Sequence, residues 1–237
     1  MAIFWRLLLS HLLADFTLQF DIVNKMKRKN VWGMALHCLT HLVTAVALTY
    51  PHLREVWFTL GPIGFNGWAA LAVMLAAHFL VDELRIYSMK RMGYPDGTIG
   101  FLADQVMHVY VLFMIAPIAR PGVGFFMPER WVGIAAMSVL VAHVTTVLIY
   151  FIEKDLYGTG FPRFDEKYFL IFERVVLWSF FFTSGWLWLP FAAAWTVQIF
   201  YIRRKRILDL SLANIYLSLG LTSAAGLWTR YIYFGHL

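Results

Sequence analysis

Eight predominantly apolar stretches follow one another through this chain, each close to the ~20 residues an α-helix needs to cross a bilayer. They run Ile3–Phe20, Val31–Tyr50, Asn66–Tyr87, Gly100–Ile118, Trp131–Ile152, Lys167–Gly185, Trp186–Ile202 and Ile207–Phe234. Charged residues make up only 14% of the sequence, against about 25% in soluble proteins, and 60% is hydrophobic. A water-soluble fold would leave much of that apolar area exposed, so the bilayer is the solvent that fits. The pattern predicts an all-α fold, a polytopic transmembrane helical bundle of about eight helices. The sixth and seventh stretches meet near Gly185 and Pro190, and the count falls to seven if they form a re-entrant pair. With no internal repeat or long linker, residues 1–237 read as a single integral membrane domain. Within it, 1–118 would form a four-helix core and 131–237 supporting helices.

Charge placement gives the expected sidedness. The loops after odd-numbered stretches and the helix ends beside them hold Lys25, Lys27, Arg28, Lys29, Arg85, Lys90, Arg91, Lys154, Arg163, Lys167 and the run Arg203–Arg206. The remaining loops hold Arg54, Arg120 and Arg130. Positive loops stay in the cytoplasm, which predicts both termini on the non-cytoplasmic side. The net charge of +6 is thereby a topology signal, and no nucleic-acid partner is expected. Met1–Ala14 has the length of a signal peptide, but Arg6, His11 and Asp15 lie in or beside its apolar run and no small-x-small site follows, so a retained first helix is expected. Cys38 is the sole cysteine, which excludes an intrachain disulfide and a cysteine zinc motif.

Four polar pairs interrupt the first four stretches: His11 and Asp15, His37 and His41, His78 and Asp82, Asp104 and His108. Each pair has i,i+4 spacing, which puts both side chains on one helix face. Measured from the cytoplasmic end of each helix, Asp15, His37, Asp82 and Asp104 share one level, and His11, His41, His78 and His108 lie about 6 Å deeper. Ionisable groups in a membrane face the protein interior and need partners. Five His and three Asp at one place match a divalent-metal site, with Zn first and Fe or Mn taking the same donors. Eight candidate ligands exceed one tetrahedral ion; they fit two ions, or one ion with an outer shell. A bland reading stands beside this one, in which polar residues join membrane helices without chemistry.

Gln105 and Glu173 are the candidate catalytic side chains, to stabilise charge or carry a proton. Glu173 falls at the level of the cluster by residue count, and an ion pair with Arg174 is its alternative. Gln19 is a candidate ligand-orienting residue. His143 reads as a packing contact, and His52 and His236 as solvated. Asp165–Lys167 reads as a helix cap, and Arg203–Arg206 as an anchor on lipid headgroups.

The stretches His11-Leu-Leu-Ala-Asp15-Phe-x-x-Gln19, His37-x-x-x-His41, His78-Phe-Leu-Val-Asp82 and Phe101-Leu-x-Asp104-Gln105-x-x-His108 resemble an uncharacterised family of bacterial multi-pass membrane proteins, known only as a domain of unknown function. The resemblance covers the first half of the chain and loosely the region of Glu173 and Arg174. It implies the bacterial inner (plasma) membrane and no activity. A looser similarity links the spacing to predicted membrane-bound metal-dependent hydrolases.

The functional expectation is a membrane-embedded metal-dependent hydrolase. Two ions, zinc by donor type, would bring a bridging water towards a neutral pKa for attack on a phosphoester of a membrane lipid or lipid-linked substrate. The alternatives are a proton or divalent-metal transporter using the same residues, an oxidative or haem enzyme, and a non-catalytic scaffold subunit. Clustering at one depth counts against a conduction path.

Overall fold

The computed structural model describes residues 1–19, 21–117, 124–205 and 210–236. It is mostly helical, as the apolar stretches require. The helices are α1 Ala2–Leu12, α2 Asp21–Lys27, α3 Val31–Thr49, α4 Gly67–Arg91, α5 Thr98–Ile115, α6 Glu129–Val139, α7 Thr145–Tyr157, α8 Phe164–Ser179, α9 Trp188–Arg204 and α10 Leu212–Phe234. Among the described residues three helical runs, Val31–His52, Thr98–Ile115 and Glu129–Tyr157, are long and apolar enough to cross a membrane. The last of them is α6 and α7 joined without a break through a π-helical turn, Leu140–Val144. The ends of the predicted fourth and eighth stretches, at 118 and 207–209, and Phe20 of the first lie outside the described residues.

The chain divides into two compact units, Met1–Val132 and Gly133–Leu237. In the first, α1 packs on α3, α3 on α4, α4 on α5 and α5 on α1, so the four helices close a ring. One end of the ring is filled by Ile3, Phe4, Leu7, Ala45, Leu71, Met74, Leu112 and Ile115, all buried. Caps set the starts of two of these helices: Asn30 Oδ1 accepts from Gly33 N at 2.8 Å, and Asn66 Oδ1 from Ala69 N at 2.9 Å.

Between α3 and α4 the chain forms an antiparallel hairpin, β1 Val56–Leu60 and β2 Ile63–Asn66, where a plain loop was expected. Gly61 turns it with φ +58°, the sign that the first position of a II′ turn requires. Trp57 tucks under the hairpin, its indole N–H donating to His52 O at 2.9 Å. His52, expected in solvent, has a side chain only 14% exposed, pairs with Glu55 at 3.0 Å and packs on Phe125. Gly67 starts α4 beneath this layer. A Cβ there would lie 2.6 Å from Leu53 Cα and 2.8 Å from the Trp57 ring. Gly67→Ala is therefore expected to cost about 1–3 kcal/mol by overpacking, seen as a lowered thermal midpoint of the detergent-solubilised protein. An unchanged midpoint would show that the hairpin yields freely.

The second unit is centred on α8 and α10. Ile134, Val141, Trp178 and Ala225 form its core, and Trp178 Nε1 donates to Thr229 Oγ1 at 2.9 Å. Buried Arg230 gathers the carbonyls of Phe181, Thr183 and Gly185, the groups left over where α8 runs out. At the other end of α8, Glu166 reaches back to Arg163 N at 3.3 Å and to its guanidinium at 2.7 Å. That guanidinium holds the Glu166 carboxyl below its usual range.

Candidate metal centre

Each helix of the first ring carries one of the i,i+4 pairs on its inner face. Leu7, Ala45, Met74 and Leu112 lie four residues from His11, His41, His78 and His108 respectively, so an apolar layer, a histidine layer and a third polar layer succeed one another. His11, His37, His41, His78, Asp82, Asp104 and His108 are all buried, at 0–6% exposure, and the Asp15 side chain is 8% exposed. The rings of His41 and His78 are 3.9 Å apart between centroids, and those of His78 and His108 4.1 Å. His11 stands 5.2–5.9 Å from His41, His78 and His108. The four imidazoles of the expected deeper level thus form one contiguous group.

Asp15 sits in a π-helical turn, Leu13–Thr17, closed by Leu18 N donating to Leu13 O at 2.8 Å. Such single wide turns recur at functional sites because they re-aim a side chain within a helix. Asp15 Oδ1 lies 3.0 Å from His41 Nε2, 3.1 Å from His37 Nε2 and 3.9 Å from His78 Nε2, and the last two nitrogens are 3.1 Å apart. Ligands bonded at 2.0–2.1 Å to a tetrahedral zinc stand about 3.3 Å from one another. Three of these separations, at 3.0–3.1 Å, are close to that spacing, the fourth is wider, and all the donor atoms lie within 4.8 Å of one another. Asp15, His37, His41 and His78 could hold a metal ion, and so could His78, Asp82 and His108.

His78 belongs to both sets, and a neutral imidazole has one lone pair to give. Two ions cannot both take it through Nε2. The four-donor set is complete by itself; the second then rests on Asp82 and His108 with Asp104 beside them. His108 Nε2 is 3.7 Å from Asp82 Oδ1 and 3.6 Å from Asp104 Oδ1, too far for hydrogen bonds. Asp104 Oδ1, His108 Nε2 and His37 Nδ1 are buried without a hydrogen-bond partner among the described residues. Buried polar atoms are seldom left so, and an ion at the first two would satisfy them.

His11 and Asp104 lie outside the two sets. His11 Nε2 meets Gln105 Oε1 at 3.2 Å, and Gln105 Nε2 donates to Asp104 Oδ2 at 3.2 Å and to Asp15 Oδ2 at 3.4 Å. Gln105 therefore orients two carboxylates and a histidine at once; its amide carries no titratable proton. Glu173 is built into the second unit, on α8, with Oε2 buried and unpartnered among the described residues and Trp195 Nε1 donating to its backbone carbonyl.

The cations around the cluster do more than set topology. Lys27 Nζ is 3.1 Å from Asp82 Oδ2. Arg85 bridges Asp104 at 3.2 Å and Asp96 at 3.0 Å, and Arg28 takes the other oxygen of Asp96 at 3.1 Å. Arg85 follows Asp82 by three residues on α4, a same-face spacing that the sequence does display. Side-chain exposure climbs along this ladder, from 4% at Asp104 to 19% at Arg85, 23% at Asp96 and 41% at Arg28. The more exposed side of the cluster is thus that of Lys27 and Arg85, and the apolar layer lies on the other. Asp15 alone of the three cluster carboxylates has no Lys or Arg partner among the described residues; its neighbours are His11, His37, His41, His78 and Gln105.

A helical protein with buried His/Asp groups that could hold a metal ion is the class that this geometry defines. The chain belongs to the family described as "Protein of unknown function (DUF3307)", which matches residues 3–124, from α1 through α5. The resemblance to an uncharacterised family holds at that level. Neither the curated proteins nor the solved structures give a match.

Proposed function

We propose that this chain is a multi-pass protein of the bacterial inner membrane, and that its first unit is a metal-dependent hydrolase. Its substrate is a phosphoester of a lipid or lipid-linked molecule, reached from the cytoplasmic leaflet. The observation that carries the metal is Asp15. A buried carboxylate is costly unless a positive charge balances it, and the donors around Asp15 are imidazoles at coordination spacing. A divalent ion balances it, and zinc suits a set of three His and one Asp, with Fe or Mn accepting the same donors.

Such an ion supplies Lewis acidity and brings a water's pKa towards neutrality. Asp15, His37, His41 and His78 would hold it, and Gln105 would fix the orientation of Asp15. With the four-donor set alone filled, His108, its Nε2 unengaged beside Asp82 and Asp104, would take and return a proton. Lys27 and Arg85, on the more exposed side, would bind the anionic phosphoryl group. Those same two cations disfavour the transporter reading, because a path for cations would not be lined by ammonium and guanidinium groups where it opens.

The test is phosphate release by the purified full-length chain from phosphatidic acid and polyprenyl phosphates in mixed micelles. Turnover should vanish on chelation, return with Zn2+ and stay below about 1% of wild type in His78→Ala, as expected for loss of a metal ligand. Metal-bound protein that is inert across that panel would remove the hydrolase and leave a structural metal.

A further inference from the structure

The second unit contains a cavity of about 360 Å3 among α7, the 159–162 loop, α8 and the start of α10. Two opposite charges line it without pairing with each other. Arg174, 3% exposed, spends its hydrogen bonds on neutral acceptors: Nε donates to Val141 O at 3.0 Å, and Nη2 to Ala142 O at 3.2 Å and to Thr146 Oγ1. Val141 and Ala142 belong to the π-helical turn Leu140–Val144, whose wide backbone leaves carbonyls free for a side chain. Among the described residues no hydrogen bond engages Nη1, and no carboxylate pairs with the guanidinium. Glu153 is the counterpart. Its oxygens accept from Ser211 Oγ and from Asn214 Nδ2 at 3.1 Å, both neutral donors, and no cation among the described residues pairs with it. Glu166 also lines the cavity but is committed to Arg163.

A buried guanidinium with a free edge is costly unless a ligand completes it. A carboxylate has lone pairs to spare beyond two neutral donors. Were the cavity built for a simple anion, Glu153 and Glu166 would repel it; were it built for a simple cation, Arg174 would. We propose that this cavity binds a zwitterion, its phosphate or carboxylate on Arg174 and its ammonium on Glu153. A phosphoethanolamine group has that chemistry, whether on a lipid or free in solution. The site is independent of the His/Asp cluster and of any reaction there.

The full-length protein, purified in detergent, would be titrated by native mass spectrometry with phosphatidylethanolamine, phosphatidylglycerol and soluble glycerophosphoethanolamine. The expected result is at least about 10-fold tighter binding of phosphatidylethanolamine than of phosphatidylglycerol, which lacks the ammonium, with the preference erased in Glu153→Gln. Binding of the soluble compound with no preference among the lipids, again lost in Glu153→Gln, would support the same site with a free ligand. Glu153→Gln keeps the shape and most of the local hydrogen bonds, so it reads the charge alone. Arg174→Gln should weaken both ethanolamine ligands, but because Arg174 also ties the π-helical turn, its result counts only where the thermal midpoint matches wild type. Equal binding of both lipids with no binding of the soluble compound, or a preference that survives Glu153→Gln, would overturn the proposal.

Discussion

His78→Ala is expected to strip metal from the purified protein more completely than any other single substitution in the cluster. His78 Nε2 stands 3.1 Å from His37 Nε2 and 3.9 Å from Asp15 Oδ1, and His78 is the one residue common to both donor sets. Its loss leaves the four-donor set one ligand short and takes from the second set the imidazole that could have stood in. Outer-shell substitutions at metal sites cost about 10–100-fold in affinity, and a lost ligand costs more. His11→Ala supplies the contrast: His11 reaches the donors only through Gln105 and a 3.7 Å approach to Asp15, so its effect should stay within that outer-shell range. Elemental analysis by inductively coupled plasma mass spectrometry of the three proteins decides it. Wild type should carry about one ion per chain if the four-donor set alone fills, and about two if Asp82, Asp104 and His108 take a second. Metal-free wild type, or equal metal in wild type and His78→Ala, would sink the centre.

Gly33→Val should release α2 from α3. A Cβ at Gly33 would lie 2.2 Å from Met26 C and 2.3 Å from its O, and backbone atoms cannot swing aside as a side chain can. Overpacking of this kind costs about 1–3 kcal/mol, which is about 5–150-fold in the population of the undocked state. Because α2 carries Lys25 and Lys27, limited trypsin digestion should cut after them faster by that factor. The same release takes Lys27 away from Asp82, so that carboxylate loses its ammonium partner while the donors on α1 and α4 keep their helices. Wild-type cleavage rates would mean that α2 rests on something other than this crossing.

Much of the site could be read without coordinates, because its logic is helical periodicity. Two polar residues four apart mark a face, and four such faces on successive antiparallel helices set a level. The level is what the ring of α1, α3, α4 and α5 realises. Lateral neighbourhood is another matter: counting residues along an axis gives height only. Glu173 could thus be assigned a height from its sequence, yet its neighbours are those of the second unit. Lys27 and Arg85 escaped for a related reason. Long cationic side chains near loops serve topology, pairing or both, and only three-dimensional proximity tells which. The hairpin Val56–Asn66 was hidden by its shortness, although Gly61-Pro62 between two aromatic-rich runs is a turn signal. His52 shows the converse error, since a histidine in a connecting segment still found Phe125 and Glu55.

The apolar layer of Leu7, Ala45, Met74 and Leu112 lies on one side of the cluster in the first bundle, and the ladder from Asp104 to Arg28 leads away from it on the other. The polar interior of the bundle is therefore asymmetric, grading into paired charges at one end and ending against hydrocarbon side chains at the other.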